Sequence, residues 1–250
     1  MIKVDPNKTC YVFDVDGTLT EHRREINLKF KNEFEAWAIE KQCFISTGSD
    51  YKKTIEQIGT TVNSFSSTFC CMSNEIRDRN GSRIYKSNFK IPTELQLDLD
   101  RILKNSKYPL RTGCHLEFRT GMLNFSVVGR NANHSQRSNY SDWDAENQER
   151  SSIVKFINES YPTLDASIGG GISVDIIETG CDKGQTVLVL EIAWCLKLIF
   201  IGDRCAPGGN DYGIIRELQK SNMLYEWYNV TGPKDTLSLL RTNKAFGGGK

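Results

Sequence analysis

Residues Cys10 to Thr20, reading C-Y-V-F-D-V-D-G-T-L-T, constrain this chain more than any other stretch. Four apolar residues without polar alternation read as a strand buried on both faces, the pattern of a central strand in a parallel sheet. The run ends in Asp14 and Asp16, and residues two apart in extended backbone project to the same side. Open α/β sheets bind their ligands in the crevice beyond the carboxyl ends of such strands. Two carboxylates there suit a hard cation, or a nucleophile beside an acid/base. An ordinary Asp-Gly turn is the alternative, and two aspartates closing a four-residue apolar run count against it.

The order of elements extends this reading. Phe30, Phe34 and Trp37 give one apolar face of a helix. A strand, Cys43-Phe44-Ile45, ends in Ser46-Thr47-Gly48-Ser49-Asp50, and a helix follows from Asp50 to about Ile58 with Ser49 as its N-cap. Phe69 to Met72 reads as a third buried strand, so strands and helices alternate as in a doubly wound sheet. Beyond Asn80-Gly81 the pattern changes. Leu95, Leu99, Ile102 and Leu103 mark a helix, and two alternating strands follow. Cys114, Leu116 and Phe118 take one face against His115, Glu117 and Arg119; Leu123, Phe125 and Val127 stand against Asn124 and Ser126. This predicts an antiparallel sheet with one wet face. A helix from near Ala145 to Ser160 and an alternating strand around Ile172, Val174 and Ile176 complete the segment. The fold class is therefore α/β, a Rossmann-like doubly wound core with an inserted α+β cap. The expected bounds are 1–82 and 181–250 for the core and 83–180 for the cap.

Bulk composition excludes little but consistently. A net charge of +1 announces neither nucleic acid nor membrane as a partner. Thr186 to Ile201, the longest apolar stretch, is interrupted by Glu191 and Lys197 and reads as a helix running into the buried strand Leu198 to Ile201. The opening Met1-Ile2-Lys3-Val4-Asp5 has no signal-peptide character, and no C-x-x-C pair has zinc spacing. The eight cysteines then read as reduced, mostly buried thiols of a cytosolic protein. Gly247-Gly248-Gly249 reads as a disordered tail.

Further candidate site residues lie where the core strands end. Leu198 to Asp203 delivers another acid, followed by Gly208-Gly209-Asn210-Asp211. Mg²⁺ takes oxygen ligands, which Asp14, the backbone carbonyl of Asp16 and Asp203 would supply; Asn210 and Asp211 are ligands or supports. Lys183, where the chain re-enters the core, can neutralise phosphate and hold the nucleophilic carboxylate. Thr47 and Ser49 offer a hydroxyl and backbone amides to a phosphate, with Asp50 as a first-turn acid. On the cap, Arg119, Arg130 and Arg137 would form an anion clamp, and Asn124, Ser173 and Asp175 share its polar face. Ser173 and Asp175 suit sugar hydroxyls. A solvated face with scattered ion pairs is the competing reading.

Asp14-Val15-Asp16-Gly17-Thr18 resembles the first motif of the haloacid-dehalogenase-like phosphotransferases. Four further stretches resemble the eukaryotic-type phosphomannomutases: Glu117 to Asn124 with Gly129-Arg130-Asn131 and Arg137, Ser167 to Asp175 with Asp182-Lys183, Pro207 to Tyr212, and Thr20-Glu21-His22-Arg23. The resemblance implies Asp14 as nucleophile, Asp16 as acid/base, and Arg23, Arg119, Arg130 and Arg137 on the phosphate that is not transferred. It implies Mg²⁺, a hexose 1,6-bisphosphate activator and a homodimer through the cap. The implied reaction converts mannose 6-phosphate to mannose 1-phosphate for GDP-mannose synthesis, with glucose phosphates left open as substrates. Three departures stand out: Gly171 for a larger residue, Cys181 for Trp, and Ser73 for Glu before Asn74. Each would loosen substrate fit without removing a catalytic group. A sugar-phosphate phosphatase and a catalytically silent sugar-phosphate-binding protein are the rival readings.

Overall fold

The computed structural model describes residues 2–242, so the triglycine tail lies outside the described residues. The described residues form two compact units, one of residues 2–86, 183–207 and 211–242, the other of 87–182 with 208–210.

In the first unit the elements run β1 (Cys10–Phe13), α1 (Leu28–Ala38), β2 (Gln42–Ser46), α2 (Tyr51–Ile58), β3 (Phe65–Cys70), β4 (Glu75–Asp78) and β5 (Arg83–Lys86). The second unit then contributes α3 (Thr93–Asn105), β6 (Leu116–Arg119), β7 (Met122–Phe125), α4 (His134–Asn147), α5 (Glu149–Ser160), β8 (Leu164–Gly169) and β9 (Ser173–Glu178). The first unit resumes with α6 (Gln185–Ile192), β10 (Lys197–Gly202), α7 (Tyr212–Leu218), β11 (Leu224–Asn229) and α8 (Pro233–Arg241).

The seven strands of the first unit follow the order β11-β10-β1-β2-β3-β4-β5. β11 to β3 are parallel, and β4 and β5 add an antiparallel edge. Alternate residues of the central strands feed two apolar layers. Cys10, Val12, Phe44 and Phe200 pack with Val187, Leu190, Ile214 and Leu218 from α6 and α7. Tyr11, Phe13, Ile45 and Ile201 pack with Phe30 and Phe34 of α1 and Leu240 of α8. Burial on both faces explains why these strands have no polar alternation. All eight cysteines are free thiols, six of them buried.

Several local expectations are corrected here. The N-cap of α2 is Asp50, not Ser49: its side chain accepts from the Lys53 backbone N–H at 2.8 Å. The strand expected at Phe69 to Met72 lies earlier, as β3. Cys71, Met72 and Ser73 instead form a left-handed turn with φ of 52°, 59° and 72°, a conformation that costs a side-chain-bearing residue roughly 1–2 kcal/mol. The charged strand β5 pairs with β4 and therefore belongs to the core sheet.

The second unit is an antiparallel sheet of order β6-β7-β9-β8. Leu123, Phe125, Val174 and Ile176 from β7 and β9 pack against Leu95 and Leu99 of α3, Tyr140 of α4, and Ile153 and Ile157 of α5. The single helix expected from Ala145 is two, split at Gln148, which takes φ 54°. Helix α4 carries few apolar residues, which is why periodicity missed it. Asp144 spans the break by accepting from Arg150 N at 2.8 Å and Arg150 Nε at 2.7 Å. The expected apolar face of β6 fails at both ends. Cys114 is exposed with φ 50°, so the strand begins at Leu116, and Phe118, on an edge strand, is 55% exposed. Nor is the polar face wet, because Asn124, Ser173 and Asp175 are all buried. Among the described residues, no helix is long and apolar enough to cross a membrane.

Candidate active site

Asp14 continues the ladder past β1, its N–H donating to the Ile201 carbonyl of β10 at 3.0 Å. That places its carboxylate at the carboxyl end of the sheet, beside the two acids that follow β10. Lys183, fully buried, donates from Nζ to Asp14 Oδ1 at 2.6 Å and to Asp211 Oδ1 at 2.7 Å. Burial pulls the lysine toward neutrality, but the two carboxylates more than offset this and hold it protonated. Asp14 is pushed well above the usual carboxylate range, chiefly by burial and further by Asp211 and Asp203, with Lys183 opposing. Burial and Asp211 raise Asp203 in the same way.

One oxygen each from Asp14, Asp203 and Asp211 falls within 4.8 Å of the others. Three carboxylates against one ammonium leave a net charge of about −2 when all are ionised, which suits a dication. Asp203 Oδ1 is buried and makes no hydrogen bond, and the donor set is all oxygen, as Mg²⁺ prefers. The residues therefore fit a hard divalent cation. Asp211 is otherwise engaged, since Arg204 N donates to its Oδ2 at 3.1 Å, and so it mainly supports Lys183. Asn210 is grouped with the second unit, with a buried Oδ1 that makes no hydrogen bond. Gly17 permits the approach of Asp203: its φ is +76°, and a Cβ there would lie 2.4 Å from Asp203 Oδ2.

Asp16 is held by different groups. Its Oδ1 accepts from the Arg23 backbone N–H at 2.6 Å and from Gln57 Nε2 at 2.8 Å. Arg23 is exposed, with φ 59°. Thr47 is buried after β2, and its hydroxyl accepts from Ser49 N at 3.1 Å. The left-handed turn braces this segment, with Met72 N donating to Thr47 O and Cys71 N to Ser49 O. Ser73 is buried and shares a 2.7 Å hydrogen bond with Thr186, which in turn meets Ser46 at 2.9 Å. This Ser departure therefore serves the wall of the site.

The second unit holds its own polar cluster. Glu117 accepts from Arg119 Nε at 2.7 Å through Oε1 and from Arg130 Nε at 2.6 Å through Oε2. Arg130 Nη1 also donates to Ser173 Oγ at 2.8 Å. Register places Glu117, Asn124 and Asp175 side by side on one face, and the Asn124 amide donates to Asp175. Asn124 Oδ1 is buried without a hydrogen bond. The close approach of Asp175 needs Gly169, whose Cβ would lie 2.4 Å from Asp175 Oδ2. Arg137 does not point into this cluster; it donates to the Ala132 and Arg130 carbonyls and braces the loop that carries Arg130. Gly171 is exposed with open space around it, and Cys181 reaches Glu178 at 3.8 Å.

Sequence reasoning missed Gln57 and gave Glu117 no role. The signal for Gln57 was its place on the inward face of α2 with Thr54 and Ile58, where a buried amide needs a partner. Glu117 showed no signal beyond its place on the polar face.

A family model for eukaryotic phosphomannomutase matches residues 33–244. The chain is 30% identical over 250 residues to phosphomannomutase 1 of Dictyostelium discoideum, covering 94% of this chain and 96% of that one. It is 32% identical over 233 residues to a phosphomannomutase of Dendrobium officinale, covering 90% of each. Among solved structures, the C-terminal domain of C. albicans trehalose-6-phosphate phosphatase matches with a TM-score of 0.66 at 15% identity, covering 93% of this chain and 90% of that one. A phosphatase of the haloalkanoate (HAD) enzyme superfamily from Bacteroides thetaiotaomicron matches with a TM-score of 0.61 at 15% identity, covering 96% and 95%. These structural likenesses show the fold, a Rossmann-like HAD core, while the family match and the relatives rest on residues along nearly the whole sequence. The chain belongs to the eukaryotic phosphomannomutase family.

Proposed function

We propose that this protein is a phosphomannomutase that interconverts mannose 6-phosphate and mannose 1-phosphate, with glucose phosphates as further substrates. Beyond family membership, one observation carries the reading: each unit has its own cluster of cationic side chains beside polar groups. The first unit offers Lys183 beside Asp14, and the second offers Arg119 and Arg130 beside Ser173. A mutase handles a sugar with two phosphate positions, whereas a phosphatase needs a grip on only one.

In this reading an Asp14 oxygen attacks the phosphorus of a hexose 1,6-bisphosphate. The bond between phosphorus and the sugar oxygen breaks, and Asp16 gives that oxygen a proton. The free hydroxyl of the next monophosphate then attacks phospho-Asp14, and Asp16 takes its proton. Lys183 carries positive charge against the transferring phosphoryl oxygens, and Thr47 and Ser49 line the same end of the sheet. Asp14, the Asp16 carbonyl and Asp203, supported by Asp211, would hold Mg²⁺, which would supply further charge neutralisation. Arg119 and Arg130 bind the phosphate that stays, with Arg137 bracing the loop that carries Arg130, while Asn124, Ser173 and Asp175 hold sugar hydroxyls. The buried, unpaired Asn124 oxygen supports that assignment.

The product supplies GDP-mannose synthesis. We further propose a cytoplasmic location, consistent with the free thiols, and a homodimer through the inserted unit. The test is to supply mannose 1-phosphate, Mg²⁺ and a hexose 1,6-bisphosphate, following products by phosphorus NMR. Mannose 6-phosphate is expected; free phosphate without it would overturn the mutase in favour of the phosphatase.

A further inference from the structure

We propose that Gln57 is the positioning residue of the acid/base Asp16, fixing which carboxylate oxygen carries the proton. The inference rests on the reading of Asp16 as acid/base given above. Gln57 is buried, and its Nε2 donates to Asp16 Oδ1 at 2.8 Å and to Thr20 Oγ1 at 3.3 Å. Both partners accept, so the amide orientation is determined: reversing it would set an oxygen against a carboxylate. Arg23 N–H donates to the same Asp16 Oδ1 at 2.6 Å. Two donors on Oδ1 leave Oδ2 to exchange a proton with the sugar oxygen.

The arrangement has a cost that marks it as functional. Gln57 Oε1 is buried and makes no hydrogen bond. A residue retained only for packing would be better apolar, because an unsatisfied buried acceptor destabilises a fold. The Gln57 backbone is also tied in, its carbonyl accepting from Ile26 N at 2.7 Å, so the amide has little freedom to drift.

The chemistry makes the role separable from stability. Transfer from a hexose phosphate to Asp14 breaks a phosphorus–oxygen bond whose sugar oxygen must gain the proton of Asp16. Transfer from p-nitrophenyl phosphate to Asp14 expels a phenolate that needs no proton, so Asp16 contributes little to that half-reaction; only the later attack of a hydroxyl on phospho-Asp14 calls on it as base. Gln57→Met keeps the length of the side chain while removing both the donor and the orphaned oxygen. In the full-length protein, kcat for mannose 1-phosphate should fall about tenfold, with KM and the pre-steady-state burst rate of p-nitrophenolate release held within about twofold. Thermal stability should be unchanged or higher.

Should Gln57→Met fail to fold, Gln57→Glu replaces the donor with an acceptor and should lose the same step selectively. An unaltered kcat on mannose 1-phosphate, or an equal loss in the p-nitrophenolate burst rate, would overturn the inference. Wild-type protein that forms no mannose 6-phosphate overturns the mutase reading itself. A wild-type mutase whose Gln57→Met variant keeps full kcat overturns only the role of Gln57.

Discussion

Lys183 has no exposed surface and two carboxylates within hydrogen-bond distance, so its charge is offset only by the protein. Lys183→Met would leave Asp14 and Asp211 buried, beside the half-buried Asp203, without the ammonium that pairs them. Breaking a buried pair on one side costs about 3–5 kcal/mol, so its urea midpoint should fall sharply and phosphorylation of Asp14 should disappear. Asp14→Asn acts in the opposite sense on stability. It lifts the repulsion that Asp211 and Asp203 exert on the buried Asp14 and leaves Lys183 paired with Asp211, so melting should stay at or above wild type while acyl-phosphate formation, followed by acid-quench labelling, is lost. The same repulsion makes a cation prediction. Mg²⁺ should raise the melting temperature of wild type, since a ligand that binds only the folded state stabilises it, and the gain should vanish in Asp203→Asn. The reach of sequence at this scale follows the type of contact. Asp14, Lys183, Asp203 and Asp211 were legible because each sits at the end of an apolar run or a glycine turn. Gln57 was not singled out, because its spacing from Thr54 and Ile58 places it on the inward face of α2 but an amide adds nothing to an apolar pattern.

The junction of α4 and α5 shows how one backbone angle sets an element. Gln148, at φ 54°, is exposed and ends one helix as it begins the next. Glycine adopts this conformation without the steric penalty, so Gln148→Gly should raise stability by up to about 1 kcal/mol in chemical denaturation. Gln148→Pro, unable to reach positive φ, should destabilise the unit. The left-handed turn at Cys71 to Ser73 is different, because its side chains are buried and wedged between the Thr47 segment and Thr186. These two features account for most of the element errors. Apolar runs predict β1, β2 and β10 well, since burial on both faces leaves a continuous signal. A run cannot reveal that Cys71 and Met72 are buried in a turn rather than a strand. Polar periodicity hides α4, and the short β4 and β5 alternate too little to be seen.

At the scale of the whole molecule, the free thiols give a test that needs no substitution. Six cysteines are buried, Cys181 is partly covered and Cys114 is exposed. Under native conditions a thiol reagent should modify Cys114 first and Cys181 more slowly, since burial and Glu178 raise its pKa. All eight should react in denaturant, read by mass spectrometry, with melting unaffected by reductant. The excursion from one unit to another and back was legible from the change between continuous and alternating apolar patterns. The membership of residues 208–210 was not, because a glycine turn has no pattern. That excursion also sets a schedule for synthesis. β1 pairs with both β2 and β10, and Asp14 meets Lys183 across a separation of 169 residues. At ~5–20 residues per second the ribosome needs roughly 10–30 s to cover that gap. Throughout it β1 waits with one edge unpaired and Asp14 without the ammonium of Lys183. A nascent chain must therefore be sheltered longest at the strand it makes first.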